Sequence, residues 1–142
     1  MQEDTISINH NWVNGCNIGT MWTSLKENLN AVKKEVEDCK DMEQWNEHCQ
    51  LMLRSLFGIN YEEFYSFLYF IARRRLDSLK TANPLILYGN WKLGRNHTIF
   101  DLKQLLKVFT SLITDTDFVN LTFYESLDIK PEEFMREIQS YI

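Results

Sequence analysis

The chain has 142 residues, 44% hydrophobic and 25% charged, with 15 Lys and Arg against 20 Asp and Glu for a net charge of −5. That length suits one domain with its own core, and five Gly and two Pro argue against disorder. The acidic balance lacks the electrostatic footprint of a nucleic-acid binder, so no nucleic-acid partner is expected.

No window approaches the ~20 apolar residues that a membrane helix requires, and Met1 to Asp4 shows neither the basic nor the apolar run of a secretory leader. No membrane partner is therefore expected. Cys16, Cys39 and Cys49 form no CxxC pair and leave an odd count, which speaks against a disulfide framework and for a reducing compartment.

Taken in order, the chain opens on an alternating stretch. Ile6, Ile8, His10 and Trp12 share one face, and Thr5, Ser7, Asn9 and Asn11 share the other, the pattern of a half-buried strand. Asn14-Gly15 then breaks it. A lone two-faced strand cannot satisfy its own backbone, so it requires partner strands, and no later segment reads as a good one. Residues 1–16 thus read as the last strand and exit turn of an incomplete sheet domain, and 17–142 as a helical region.

From Asn17 as a cap, Ile18, Met21, Trp22, Leu25, Leu29, Val32 and Val36 make one apolar stripe of an amphipathic helix. Asp41 to Gln44 has the form of a capping box, opening a second helix with Trp45, Cys49, Met52, Leu53 and Leu56 inward and Gly58 as terminator. Asn60 to Glu63 repeats the capping box and opens a third helix, apolar on most sides, which is expected at the centre of the region beside other helices or a second subunit. Arg73, Arg74 and Arg75 read as a solvated part of that helix.

Residues 81–96, with Pro84, Gly89 and Gly94, read either as an ordered loop on the core or as a poorly packed insertion. Thr98 to Asp101 suggests a cap for a helix carrying Leu102, Leu105, Leu106, Phe109, Leu112 and Ile113 to about Thr114. Phe118, Val119, Leu121 and Phe123 anchor a mixed stretch. Pro131 begins a last helix with Phe134, Ile138 and Tyr141 inward. The fold class is mainly α, with one N-terminal β-strand followed by about five helices.

The chemistry-bearing residues are few. A facial iron triad needs two His and a carboxylate, two of them usually as His-x-Asp or His-x-Glu. His10, His48 and His97 are followed by Asn11-Trp12, Cys49-Gln50 and Thr98-Ile99, so none supplies it. His48 and Cys49 point about 100° apart on a helix and make poor joint ligands. No Gly-rich phosphate loop and no nucleophile motif is present.

A resemblance enters at the opening stretch. Asp4 to Gly15, continued by Cys16-Asn17-Ile18, Met21-Trp22 and the run Ser55 to Tyr65, resembles the carboxy-terminal part of the JmjC family of Fe(II)- and 2-oxoglutarate-dependent oxygenases, and more narrowly a lysyl hydroxylase of that family. The likeness is good from about Glu3 to Leu79 and thin from Lys80 onward. It implies that the opening strand is the last strand of a double-stranded β-helix barrel, whose remainder is the first partner of this chain. In such a barrel the polar face looks inward. Asn11, and after it Asn9, is then the residue expected to line the cosubstrate pocket, while His10 packs outward on the helices.

The resemblance further implies Fe(II) and 2-oxoglutarate in the complete protein, none held by this chain alone, and hydroxylation of a lysine of the eukaryotic translation release factor in the cytoplasm. It makes the chain a catalytically silent fragment whose helices buttress the barrel and serve a subunit or substrate interface, with a homodimer as one form. The competing reading is a non-catalytic all-helical interaction module, with the opening strand an extended arm. The clean alternation of residues 5–12 has no purpose in a free arm, which favours the first.

Overall fold

A computed structural model describes residues 17–82, 85–87 and 91–142. Asn9, His10, Asn11 and the opening strand lie outside the described residues. The described chain is mainly α. It runs α1 (Ile18–Glu35), a 3-10 turn (Glu37–Cys39), α2 (Trp45–Phe57), α3 (Tyr61–Thr81), β1 (Leu85–Leu87), β2 (Trp91–Leu93), α4 (Arg95–Ile113), α5 (Thr116–Val119), α6 (Thr122–Ser126) and α7 (Pro131–Gln139). The five long helices sit where the apolar periodicity puts them, and the stretch anchored by Phe118 and Leu121 folds into the two short helices α5 and α6.

The core forms where the stripes of α1, α3, α4 and α7 meet. Trp22 lies parallel to Phe64, with ring centroids 5.7 Å apart, and its Nε1 donates to Ser111 Oγ at 2.7 Å, so one side chain of α1 ties both α3 and α4. Tyr65 meets Phe109 and Phe118 at 5.7 and 5.5 Å, and Phe109 meets Phe134 edge-on at 5.9 Å, which joins α3, α4, α5 and α7. Fully burying such a side chain contributes roughly 1.5–3 kcal/mol, and aromatic pairs at these separations add about 0.5–1.5 kcal/mol each.

The helix ends follow local chemistry, with two departures. At α3 the capping box forms: Glu63 N donates to Asn60 Oδ1 at 2.9 Å and Asn60 N to Glu63 Oε1 at 3.2 Å. The next orphan donor, Tyr61 N, goes to the buried Gln50 Oε1 at 2.8 Å, so α2 caps α3 as well. Gly58 ends α2 at φ 91°, a backbone that L side chains rarely adopt, and donates to the Arg54 carbonyl. Pro131 stands at the first turn of α7 with Glu132 and Glu133.

The first departure is at 41–44, where no capping box forms. Trp45 donates its Nε1 to the Val36 carbonyl at 3.3 Å and fixes the start of α2, while Gln44 takes a left-handed φ of 58°. The second is at 98–101. The helix starts one turn earlier, after Gly94, and Thr98 Oγ1 bonds the Gly94 carbonyl while Asp101 turns inward. Asp101 therefore stands well inside α4, and its carboxylate faces a neighbouring helix rather than the helix end.

Two further expectations are resolved or corrected. Within the stretch read as an ordered loop or a poorly packed insertion, residues 85–87 and 91–93 pair as short antiparallel strands, with Leu85 opposite Leu93 and Leu87 opposite Trp91. Strands of three residues are too short to display alternation, which is why they escape a periodicity search. Tyr141 lies beyond the end of α7 and is exposed, under the Lys80 ammonium at 5.4 Å from its ring centroid. The third helix is central as expected, but one-sided: Tyr61, Phe64, Tyr65, Leu68, Leu76 and Leu79 are buried while Phe70 is 60% exposed.

Candidate functional site

Each histidine and cysteine within the described residues can be placed. His48 is half-buried on α2, and its neighbour Cys49 points into the core against Leu53. His97 sits on the exposed first turn of α4, its Nε2 3.6 Å from Asp101 Oδ1, too long for a hydrogen bond. Among the described residues no three of His, Cys, Asp and Glu converge on one point, so these residues do not fit an iron ion. The expected cosubstrate residues Asn11 and Asn9 lie outside the described residues, as does His10.

The titratable groups that are buried serve the fold. Burial pushes the Cys49 thiol up against the opposing pull of the Lys33 ammonium, which makes it a weak nucleophile. Burial also pushes the phenols of Tyr61 and Tyr65 up, and keeps Asp115 above the usual carboxylate range, with Asp117 adding to it. Asp115 holds its place as the cap of α5, accepting from Asp117 N at 2.9 Å.

Three charged clusters went unread in the sequence because each joins distant residues. Lys33 on α1 reaches Asp117 on α5 at 2.9 Å and lies 5.8 Å from the Trp45 ring centroid. Glu137 on α7 accepts from Lys80 and from Arg73 at 3.2 Å, and these bonds hold its carboxyl below the usual range, Lys80 first. Arg75 on α3 meets the buried Asp101 on α4 at 3.1 Å. The triple-arginine run is thus no solvated face: only Arg74 is exposed, stacked on Phe70 at 5.6 Å, while Arg73 covers Phe134 at 4.6 Å and Arg75 neutralises a core carboxylate.

What the layer does offer is surface. Leu51, Leu56 and Phe57 on α2, Phe70 on α3 and Phe100 on α4 are all exposed, each on a helix whose other face is buried in the core. Single exposed apolar residues are ordinary, but large ones on three helices of one small layer are what a covering partner would bury. No helix of the described residues is long and apolar enough to cross a membrane.

Comparison with known proteins supplies the context for that layer. The chain is 40% identical to the zebrafish 2-oxoglutarate and iron-dependent oxygenase JMJD4, over 99% of this chain and 35% of the relative. It is 46% identical to the Drosophila melanogaster homolog of the same oxygenase, over 79% of this chain and 26% of the relative. The Arabidopsis thaliana arginine-specific demethylase JMJ20 is 36% identical over 46% of this chain and 14% of that protein. The zebrafish match runs past Lys80, beyond the part of the chain that carries most of the resemblance. No family model and no solved structure matches. The chain spans about a third of the length of the JMJD4 relatives, 35% of the zebrafish one. By its sequence the chain is similar, over nearly its whole length, to about a third of the 2-oxoglutarate and iron-dependent oxygenases named JMJD4.

Proposed function

We propose that this chain is the helical layer of a protein lysyl hydroxylase, and that the whole protein uses iron and 2-oxoglutarate to insert one oxygen atom into a lysyl C–H bond of the translation release factor. The observation that carries the reading is identity of 40% to the zebrafish oxygenase across nearly all of this chain. The exposed apolar residues of α2, α3 and α4 support a docking role, since a barrel packed on them would bury them. In this reading Asn11, and after it Asn9, lines the cosubstrate pocket, and the helices add a subunit or substrate interface. The location is the cytoplasm, which suits the free thiols of Cys39 and Cys49.

The test is to incubate the protein that carries this segment with Fe(II), 2-oxoglutarate and purified release factor, and to follow the factor by peptide mass spectrometry. The reading predicts the gain of one oxygen atom on a single lysine, dependent on 2-oxoglutarate. Loss of a methyl group from an arginine would replace lysyl hydroxylation with the chemistry that the name of the Arabidopsis relative describes. No change in the factor, while 2-oxoglutarate is still consumed, would remove the factor as substrate.

A further inference from the structure

A recess of about 320 Å³ opens between α3 and the segment that joins α6 to α7. Its walls are aromatic, from Tyr65, Tyr69 and Phe123, and its mouth is set by Leu127, Asp128 and Ile129. Tyr65 packs edge-on to Phe123 at 5.9 Å and lies 6.2 Å from Tyr69, so the three rings that line the recess adjoin one another.

We propose that this recess is a binding site for an arginine side chain presented by a partner protein. The rings and the carboxylate divide the work. Aromatic faces attract a cation through their quadrupole, and a guanidinium gains most because it is planar and weakly hydrated. Asp128 is exposed at the mouth and makes no hydrogen bond or ion pair with the other described residues, so both its oxygens are open to a two-pronged contact. Tyr65 is 2% exposed, and its hydroxyl has no hydrogen-bond partner among the described residues. A buried hydroxyl is costly when unsatisfied, and an N–H donor entering the recess relieves that cost.

The charges already present favour the same occupant. Arg73 covers the Tyr69 ring at 5.4 Å, but Glu137 neutralises it at 3.2 Å. Lys130 stacks on Tyr124 at 5.1 Å, donates to the carbonyls of Tyr124 and Glu125, and makes no ion pair with Asp128. Glu132 accepts from the Tyr124 hydroxyl at 3.0 Å. Asp128 is left as the unmatched charge of the recess. A volume of this size accepts one long side chain and is at the small end for a drug-sized ligand.

The experiment is an amide NMR titration of the 142-residue chain with the peptide acetyl-Gly-Arg-Gly-amide, in parallel with its citrulline and lysine counterparts. The expected result is saturable shifts centred on Ser66, Tyr69, Phe123 and Asp128 with the arginine peptide, and at least ~10-fold weaker binding of the neutral citrulline peptide. The lysine peptide should bind about 3-fold or more weakly than the arginine one, because it lacks the planar fork. D128N, an exposed and nearly isosteric change, should weaken the arginine peptide by about 5-fold with an unchanged thermal midpoint. Equal binding of citrulline, lysine and arginine peptides would make the recess a plain apolar cleft and overturn the proposal. So would an arginine affinity untouched by D128N, or shifts centred elsewhere.

Discussion

The pair of Arg75 and Asp101 gives the sharpest test of the core. The Asp101 side chain is 4% exposed and that of Arg75 14%, and the two meet at 3.1 Å between α3 and α4. The other oxygen, Oδ1, is buried with no hydrogen bond, so Arg75 carries nearly all the compensation of that carboxylate. R75M removes the guanidinium while keeping an unbranched stem. Breaking a buried pair on one side typically costs 3–5 kcal/mol. The lower end, about 3 kcal/mol, fits here because the His97 imidazole, 3.6 Å from Oδ1, stays beside the carboxylate when Arg75 is gone. With a urea slope of ~2 kcal/mol per molar for a chain of this size, the midpoint should fall by about 1.5 M. The double variant R75M/D101L removes both charges and fills the space, and should unfold within about 1 kcal/mol of the parent. A fall of less than about 0.5 M for R75M, or a double variant as unstable as the sum of the singles, would refute the reasoning.

Four further outcomes are expected. F118A should cost about 3–5 kcal/mol in the same urea assay, since Phe118 is fully buried against Tyr65 and Tyr124 and its removal leaves a cavity. Of the two described cysteines, the exposed Cys39 should react with a thiol reagent in the native chain, while Cys49, buried and held as the thiol, should react only on unfolding. The Glu137 carboxyl is held below its ordinary value of 4.5 by Lys80 and Arg73, so its stabilisation is present in full above that pH and fades as pH falls through the lowered value. Stability curves of the parent and E137Q, measured between pH 7 and pH 3, should therefore differ at neutral pH and converge in acid. On the proposal that Asn11 lines the cosubstrate pocket, N11A in the whole protein should raise the KM for 2-oxoglutarate more than it lowers the affinity for iron, as cosubstrate titrations at fixed iron would report.

Much of this architecture was legible because helical periodicity is local information. The stripe from Ile18 to Val36, the Asn60–Glu63 capping box, Gly58 and Pro131 each encode their structure within a few residues. What escaped is non-local. Asp101 reads as a cap on its own stretch, and its pairing with Arg75 depends on how α3 and α4 come together. Phe70 reads as core by composition, yet it projects outward with Arg74, because one helix can bury only the face its neighbours reach. The Tyr65 recess draws on α3 and on residues 123–129, nearly sixty positions away, and no spacing rule connects them. The candidate cosubstrate residues Asn11 and Asn9 rest on the resemblance, and lie outside the described residues.

The central claim is that these helices serve an oxygenase barrel. Its most direct test is a chimera in which this chain replaces the matching segment of the zebrafish relative, to which it is 40% identical. The measurement is iron-dependent 2-oxoglutarate turnover, for the zebrafish protein, for the chimera and for the same chimera carrying L56E and F57E on its exposed face. The account predicts an active chimera and loss of activity when the charged pair is introduced, with the helical content of the 142-residue double variant unchanged. A folded chimera without activity, or one indifferent to L56E and F57E, would contradict it.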